Sequence, residues 1–173
     1  MPYVDATCES TNITPSIHLL VESQDGQVAK QEVTTNFNEY SINIPAGNKI
    51  TGVQVFIYAG TNPVVDNSAF IRIDFGNGFS SYVEANEDYP GIGAPALRNH
   101  GTDTELWNLT ANQINNPSSI NWTNVKVQYT EGIETIVFYI DQLFLRVHYE
   151  ELSTGTIKFS EGLVKLSQGR ISL

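Results

Sequence analysis

The sequence predicts an all-β fold, a set of short antiparallel strands packed as a sandwich or closed as a barrel. Three features point there. Several runs alternate apolar and polar residues at a period of two. Thr, Val, Ile, Tyr and Phe are plentiful while strong helix formers are scarce. Turn residues break the runs at short, regular intervals. The chain has 173 residues, 40% hydrophobic and 16% charged. That is enough apolar material for one full core and too little charge for wholesale disorder.

Taken in order, strand signals occur at 17–21, 27–33 and 37–44. Asp25-Gly26 and Pro45-Ala46-Gly47-Asn48 supply turns. A strong strand covers 51–58, with Val53, Val55 and Ile57 on one face. Strands at 69–75 and 79–85 flank Gly76-Asn77-Gly78, which fits a hairpin loop. Two long loops follow, at 86–104 and 110–120. The second contains one helical turn at 112–114, started by Thr110. A strand over 122–129 sets Val125, Val127 and Tyr129 against Asn124, Lys126 and Gln128. After Glu131-Gly132, strands are expected at 134–140 and 142–149. In the last, Leu143, Leu145, Val147 and Tyr149 oppose Phe144, Arg146 and His148, which places His148 toward solvent or a neighbouring chain.

The end of the chain differs from the rest. Gly155, Gly162 and Gly169 fall seven residues apart, and each interval reads x-aliphatic-basic-apolar-Ser-acid/amide-Gly. The apolar spacing of two, with a glycine per repeat, favours short strands over a coiled coil. Such strands cannot bury their apolar residues alone. The expected organisation is a sandwich over 1–150 and a C-terminal β-repeat arm over 151–173. Three fates of the arm stay open. It winds with copies from other chains, turning Ile157, Phe159, Val164, Leu166, Ile171 and Leu173 inward as a trimer. It adds edge strands to its own sandwich. It grips a neighbouring protein.

Charge narrows the partners. Lys and Arg number 9 and Asp and Glu 19, a net of −10. Lys158, Lys165 and Arg170 against Glu161 leave the last eighteen residues at +2, so the rest carries −12. A body this acidic argues against nucleic acid and anionic membranes, and favours docking of the basic arm on an acidic neighbour. No apolar run approaches membrane-spanning length, and the N-terminus has no signal-peptide pattern. Cys8 is the only cysteine, so no intramolecular disulfide forms.

Reactive constellations are weak. His18, His100 and His148 are the imidazoles. His18 sits in an apolar run, His100 in a long loop, and no nucleophile elbow exists. Carboxylate pairs such as Asp103 with Glu105, or Glu84 with Glu87 and Asp88, read as a solvated acidic rim. Calcium is a minor alternative there, and no EF-hand loop is present. The reading therefore has no catalytic residues, no metal and no cofactor. Tyr82, Tyr89 and Trp122 are candidate sugar-stacking rings. Trp107, within the apolar cluster 106–109, is expected in the core.

Three segments in fixed order carry a resemblance. They are INIPAGNKITGVQV at 42–55, LWNLTANQINNP at 106–117 and YIDQLFLRVHY at 139–149. Together they resemble a group of small β-sandwich proteins common in tailed bacteriophages and bacterial surface proteins. In that group a strand ending in Ile-Pro-x-Gly-x-x-Ile-x-Gly, a Trp-Gly-Leu segment and a Val-Asp-x-hydrophobic strand recur. The match spans roughly residues 25–150. Asn108 stands where glycine is usual, and Asn121-Trp122-Thr123-Asn124 replaces the usual Asn-Phe-Gly approach. The resemblance implies a jelly-roll-like sandwich and a structural role on a virion, with no catalytic residues. The function expected is therefore a non-enzymatic capsid-surface decoration or cement protein. It would be made in the host cytoplasm, would oligomerise through Ile157, Lys158, Phe159, Val164, Lys165, Leu166, Ile171 and Leu173, and would contact other virion proteins such as the major capsid protein. The alternative is a tail-fibre or receptor-binding module that recognises host-surface carbohydrate.

Overall fold

The structure is a computed structural model, and it describes residues 1–11, 29–31, 35–62, 69–91, 93–131, 137–151, 156–159 and 162–165. Its main sheet is built from β1 (Tyr3–Thr11), β2 (Ala29–Gln31), β3 (Thr35–Tyr40), β4 (Lys49–Asn62), β5 (Ala69–Asp74), β6 (Val83–Glu84), β7 (Ala96–His100), β8 (Lys126–Glu131) and β9 (Val137–Glu150). A short helix, α1 (Ala111–Asn115), precedes β8. A separate two-stranded sheet pairs β10 (Thr156–Phe159) with β11 (Gly162–Lys165). Expectations at 17–21, most of 27–33, His18 and Gly132 lie outside the described residues.

The strand order is β6-β5-β8-β3-β1-β9-β4-β7, with β2 added beside β9. The pairing is nested: β1 joins β9, β3 joins β8, β4 joins β7 and β5 joins β6, all antiparallel. It is one long hairpin rolled up, with β1-β9-β4-β7 forming one wall and β3-β8-β5-β6 the other. That is the order of a jelly roll. β1 turns the corner between the walls: Tyr3–Thr7 pair with β9, and Cys8, Ser10 and Thr11 pair with β3. On the far side Ala85 bridges His100, and the Asn86 amide donates to the Asn99 carbonyl at 2.9 Å. The sheet is thereby nearly closed, which shelters strand edges that would otherwise pair with other chains.

The alternation seen in the sequence decides what is buried. Val53, Val55 and Ile57 of β4, Val127 and Tyr129 of β8, and Leu143, Leu145 and Val147 of β9 all point into one apolar core. Phe37, Tyr40, Ile71 and Ile73 complete it from the opposite wall. β4 and β9 form the longest ladder, 14 residues each, with register shifts between Ile50 and Gly52 and between Tyr58 and Ala59.

Several boundaries differ from expectation. The run 142–149 and the described part of the run 134–140 belong to one strand, β9, because the ladder takes up Asp141 as an extra residue where its register shifts. Residues Trp122–Asn124 form a 3₁₀ turn, so β8 begins at Lys126. β1 has no counterpart among the expected strands, and β7 lies inside the expected loop at 86–104. Its sequence, Ala-Leu-Arg-Asn-His, has little apolar alternation because it ends a wall. The helical turn after Thr110 is present with a complete capping box. The Thr110 hydroxyl accepts from the Gln113 amide, and the Gln113 side chain accepts from the Thr110 amide. The Gly76-Asn77-Gly78 turn is also present. Gly76 and Gly78 have positive φ, and the Asp74 carboxylate accepts both of their amides. Gln113 ties the two features together by donating to the Phe75 carbonyl at 2.9 Å.

Candidate functional site

Three places hold the chemistry-bearing side chains: the two outer faces of the roll and the seam between β6 and β7. The outer face of β1-β9-β4 centres on Arg146. Its guanidinium makes a paired bond to Asp5, with Nε and a terminal nitrogen each 2.8 Å from a carboxylate oxygen. It also lies 4.1 Å from the Tyr3 ring centroid and 4.8 Å from that of Phe56. Phe56 and Phe144 stack at 4.9 Å with rings 4° from parallel. These side chains meet because Asp5, Arg146 and Gln54 share one rung of the sheet while Thr7, Phe144 and Phe56 share the next. The Asp5 bond raises the Arg146 pKa further.

His148 belongs to the same face. It was expected at solvent or a chain boundary, but it is buried, with its Nε2–H donating to the Gln54 amide oxygen at 2.7 Å. The Tyr3 ring lies 5.8 Å away. Burial lowers its pKa, with Asp103 opposing that shift. Alternation correctly placed His148 opposite Val147. It could not show that β1 and the loop after β7 would cover that side.

The outer face of β5-β8 carries a second cation–aromatic cluster. The Arg72 guanidinium sits 4.5 Å from the Phe79 centroid and 4.7 Å from that of Tyr82. Arg72 Nε donates to the Gln128 side-chain oxygen at 2.6 Å, and Gln128 donates to the Asn36 side chain at 2.9 Å. Tyr82 is exposed, as a ligand-stacking ring must be. Tyr89 and Trp122 are not available in that way, and their placing corrects the expectation. Tyr89 is wholly buried with its hydroxyl on His100, and Trp122 is buried edge-on to Phe75 at 6.1 Å. Large rings in nominal loops were drawn into the core because the loops fold back across the roll's ends. Trp107 packs against the core as expected, its indole N–H donating to the Val53 carbonyl at 2.8 Å.

The seam contains the only strongly shifted imidazole among the described residues. His100 ends β7 and is fully buried, in contrast to the loop position expected. Its Nδ1–H donates to the Val83 carbonyl at 3.1 Å, so Nε2 is the acceptor for the Tyr89 hydroxyl at 3.1 Å. Burial lowers its pKa to about 4, and the bond to Val83 opposes that shift. Burial also raises the Tyr89 and Tyr40 hydroxyls well above their usual range. The pair His100–Tyr89 is thus held neutral and spans β6, β7 and the loop between them.

The acidic candidates spread over the surface. Glu87 pairs with Arg98 at 3.2 Å, and Glu105 accepts from the Trp107 amide. Among the described residues no three ligating side chains cluster as a metal site, and no helix is long and apolar enough to cross a membrane. Of the proposed contact residues in the arm, Ile157, Lys158 and Phe159 fall in β10, and Val164 and Lys165 in β11. The register sets Ile157 against Val164 and Lys158 against Leu163. Leu166, Ile171 and Leu173 lie outside the described residues. No protein-family model and no curated protein sequence matches the chain.

Proposed function

We propose that this chain is a non-enzymatic structural protein of a tailed-bacteriophage virion, a repeated surface unit that decorates or cements the capsid. The observation that carries the reading is the β10–β11 hairpin. It pairs with itself and contributes no strand to either wall of the roll. We therefore read the β10–β11 part of the heptad repeat as an appendage to a body that is nearly closed on itself. The likeness of segments 42–55, 106–117 and 139–149 to small virion sandwich proteins supports the same reading. So does the charge division, a basic arm on an acidic body. In this mechanism the arm of one copy docks on the next copy or on the capsid protein, and long-range attraction steers the encounter. Stable contacts of this kind bury about 1,200–2,000 Å².

The test is removal of residues 151–173. The roll is expected to keep its thermal unfolding midpoint, because every core residue among the described ones precedes the arm. In sedimentation the mass should fall to that of a single chain, and binding to purified particles should be lost. Retention of both native mass and particle coating by the truncated protein rejects the proposal.

A further inference from the structure

The wall β1-β9-β4-β7 carries a groove on its outer side that the oligomerisation model does not use. Its volume is about 590 Å³, and Asp5, Ala6, Thr7, Ser41, Leu97, Gln142 and Phe144 line it. This size lies within the ~300–1,000 Å³ typical of small-ligand sites. The lining comes from widely separated parts of the chain. Thr7 pairs with Phe144 across β1 and β9, while Gln142 of β9 and Leu97 of β7 flank Tyr58 of β4. The groove thus runs across neighbouring strands, about 14 Å from β1 to β7 at the usual strand spacing.

We propose that this groove binds a neutral oligosaccharide. Phe144 offers an aromatic surface whose orientation is set by its stack on Phe56. Leu97, 41% exposed, adds apolar surface to the lining. Sugar rings present a C–H face that packs on such surfaces. Around them stand the Thr7 and Ser41 hydroxyls and the Gln142 amide, whose side chains make no hydrogen bond among the described residues. They can donate and accept, which matches hydroxyl groups in either role. Asp5 supplies a fixed acceptor because Arg146 holds both of its oxygens. That same pairing occupies the guanidinium that would otherwise attract an acidic sugar. The net charge of −10 also disfavours anionic ligands. A ligand with hydroxyls, apolar ring faces and no charge fits all of these features.

The full chain, labelled with ¹⁵N, is titrated with maltotriose, cellotriose and triacetylchitotriose, with trigalacturonate as the acidic comparison. At least one neutral trisaccharide should shift the Gln142 side-chain amide and saturate. Phe144→Ala should weaken that binding by about tenfold or more, the equivalent of one lost apolar contact. Gln142→Ala, followed by the backbone amide of Thr7, gives an independent readout if the Phe144 variant unfolds, and should also weaken binding. Tyr82→Ala, on the opposite wall, should leave it unchanged. Absence of any shift at Gln142 with all three neutral sugars overturns the proposal. So does tighter binding of trigalacturonate, or binding that survives Gln142→Ala intact.

Discussion

At the scale of single residues, His100 is where stability meets pH. Its imidazole is buried and neutral, with its pKa lowered from 6.5 to about 4. The unfolded chain takes up this proton near pH 6.5, while the folded chain does so only near pH 4. Stability from this group is therefore complete above pH 6.5 and is lost as pH falls through that window. The loss reaches at most about 3 kcal/mol. His148, whose pKa is also lowered by burial, adds in the same direction. Urea unfolding at pH 7 and pH 4.5 measures the sum. His100→Gln should be less stable at pH 7, because Tyr89 and Val83 lose their partner, yet show a smaller drop on acidification. An equal drop in both proteins removes His100 as the cause.

At the scale of elements, β4 is anchored by one small residue. A Cβ at Gly52 would collide with the backbone of Asp103 and Thr104. Gly52 also marks a register shift against β9. The close approach lets the Val53 amide donate to the Glu105 carbonyl at 2.8 Å and brings Trp107 onto the Val53 carbonyl. Gly52→Ala must push the 103–107 loop away from the sheet, at a cost of about 1–3 kcal/mol. The expected signs are a lower thermal midpoint and altered tryptophan fluorescence, since Trp107 loses its fixed partner. An unchanged midpoint shows that the loop yields without loss. α1 is stabilised by different means. Its five residues are too few to hold a helix alone, and its capping box and the Gln113 bond to Phe75 supply what length cannot.

At the scale of the whole molecule, nested pairing places the longest ladder in the middle. β4 and β9 pair from Lys49↔Glu150 to Asn62↔Val137, and each is flanked by another strand. Their amides should exchange with solvent most slowly, through global unfolding alone, whereas β10 and β11, protected only while docked on another copy, should exchange quickly once the protein is diluted to single chains. Hydrogen exchange read by mass spectrometry would show this ranking. Protection equal to that of β9 in the diluted single chain would mean that the hairpin packs on its own body, against the contact between copies proposed above. The pairing of β1 with β9 spans nearly the whole chain. Such distant closure favours folding in milliseconds to seconds.

Elements with a local cause could be read from the residues alone. Alternation at 51–58 and 142–149 named the buried faces of β4 and β9 correctly, since a residue's side of a strand follows from its parity. The helical turn started by Thr110 and the Gly76-Asn77-Gly78 turn were legible because each is stabilised by partners within a few residues, Gln113 for the one and Asp74 for the other. What covers an outer face followed from the packing of the whole roll. It buried His148 and Tyr89, made His100 the closing post of a wall, left Tyr82 exposed, and gathered Thr7, Leu97 and Phe144 around one groove. Parity says which side a residue takes. Whether that side meets water depends on strands that arrive from far along the chain, and their arrival is set by the burial of the core as a whole.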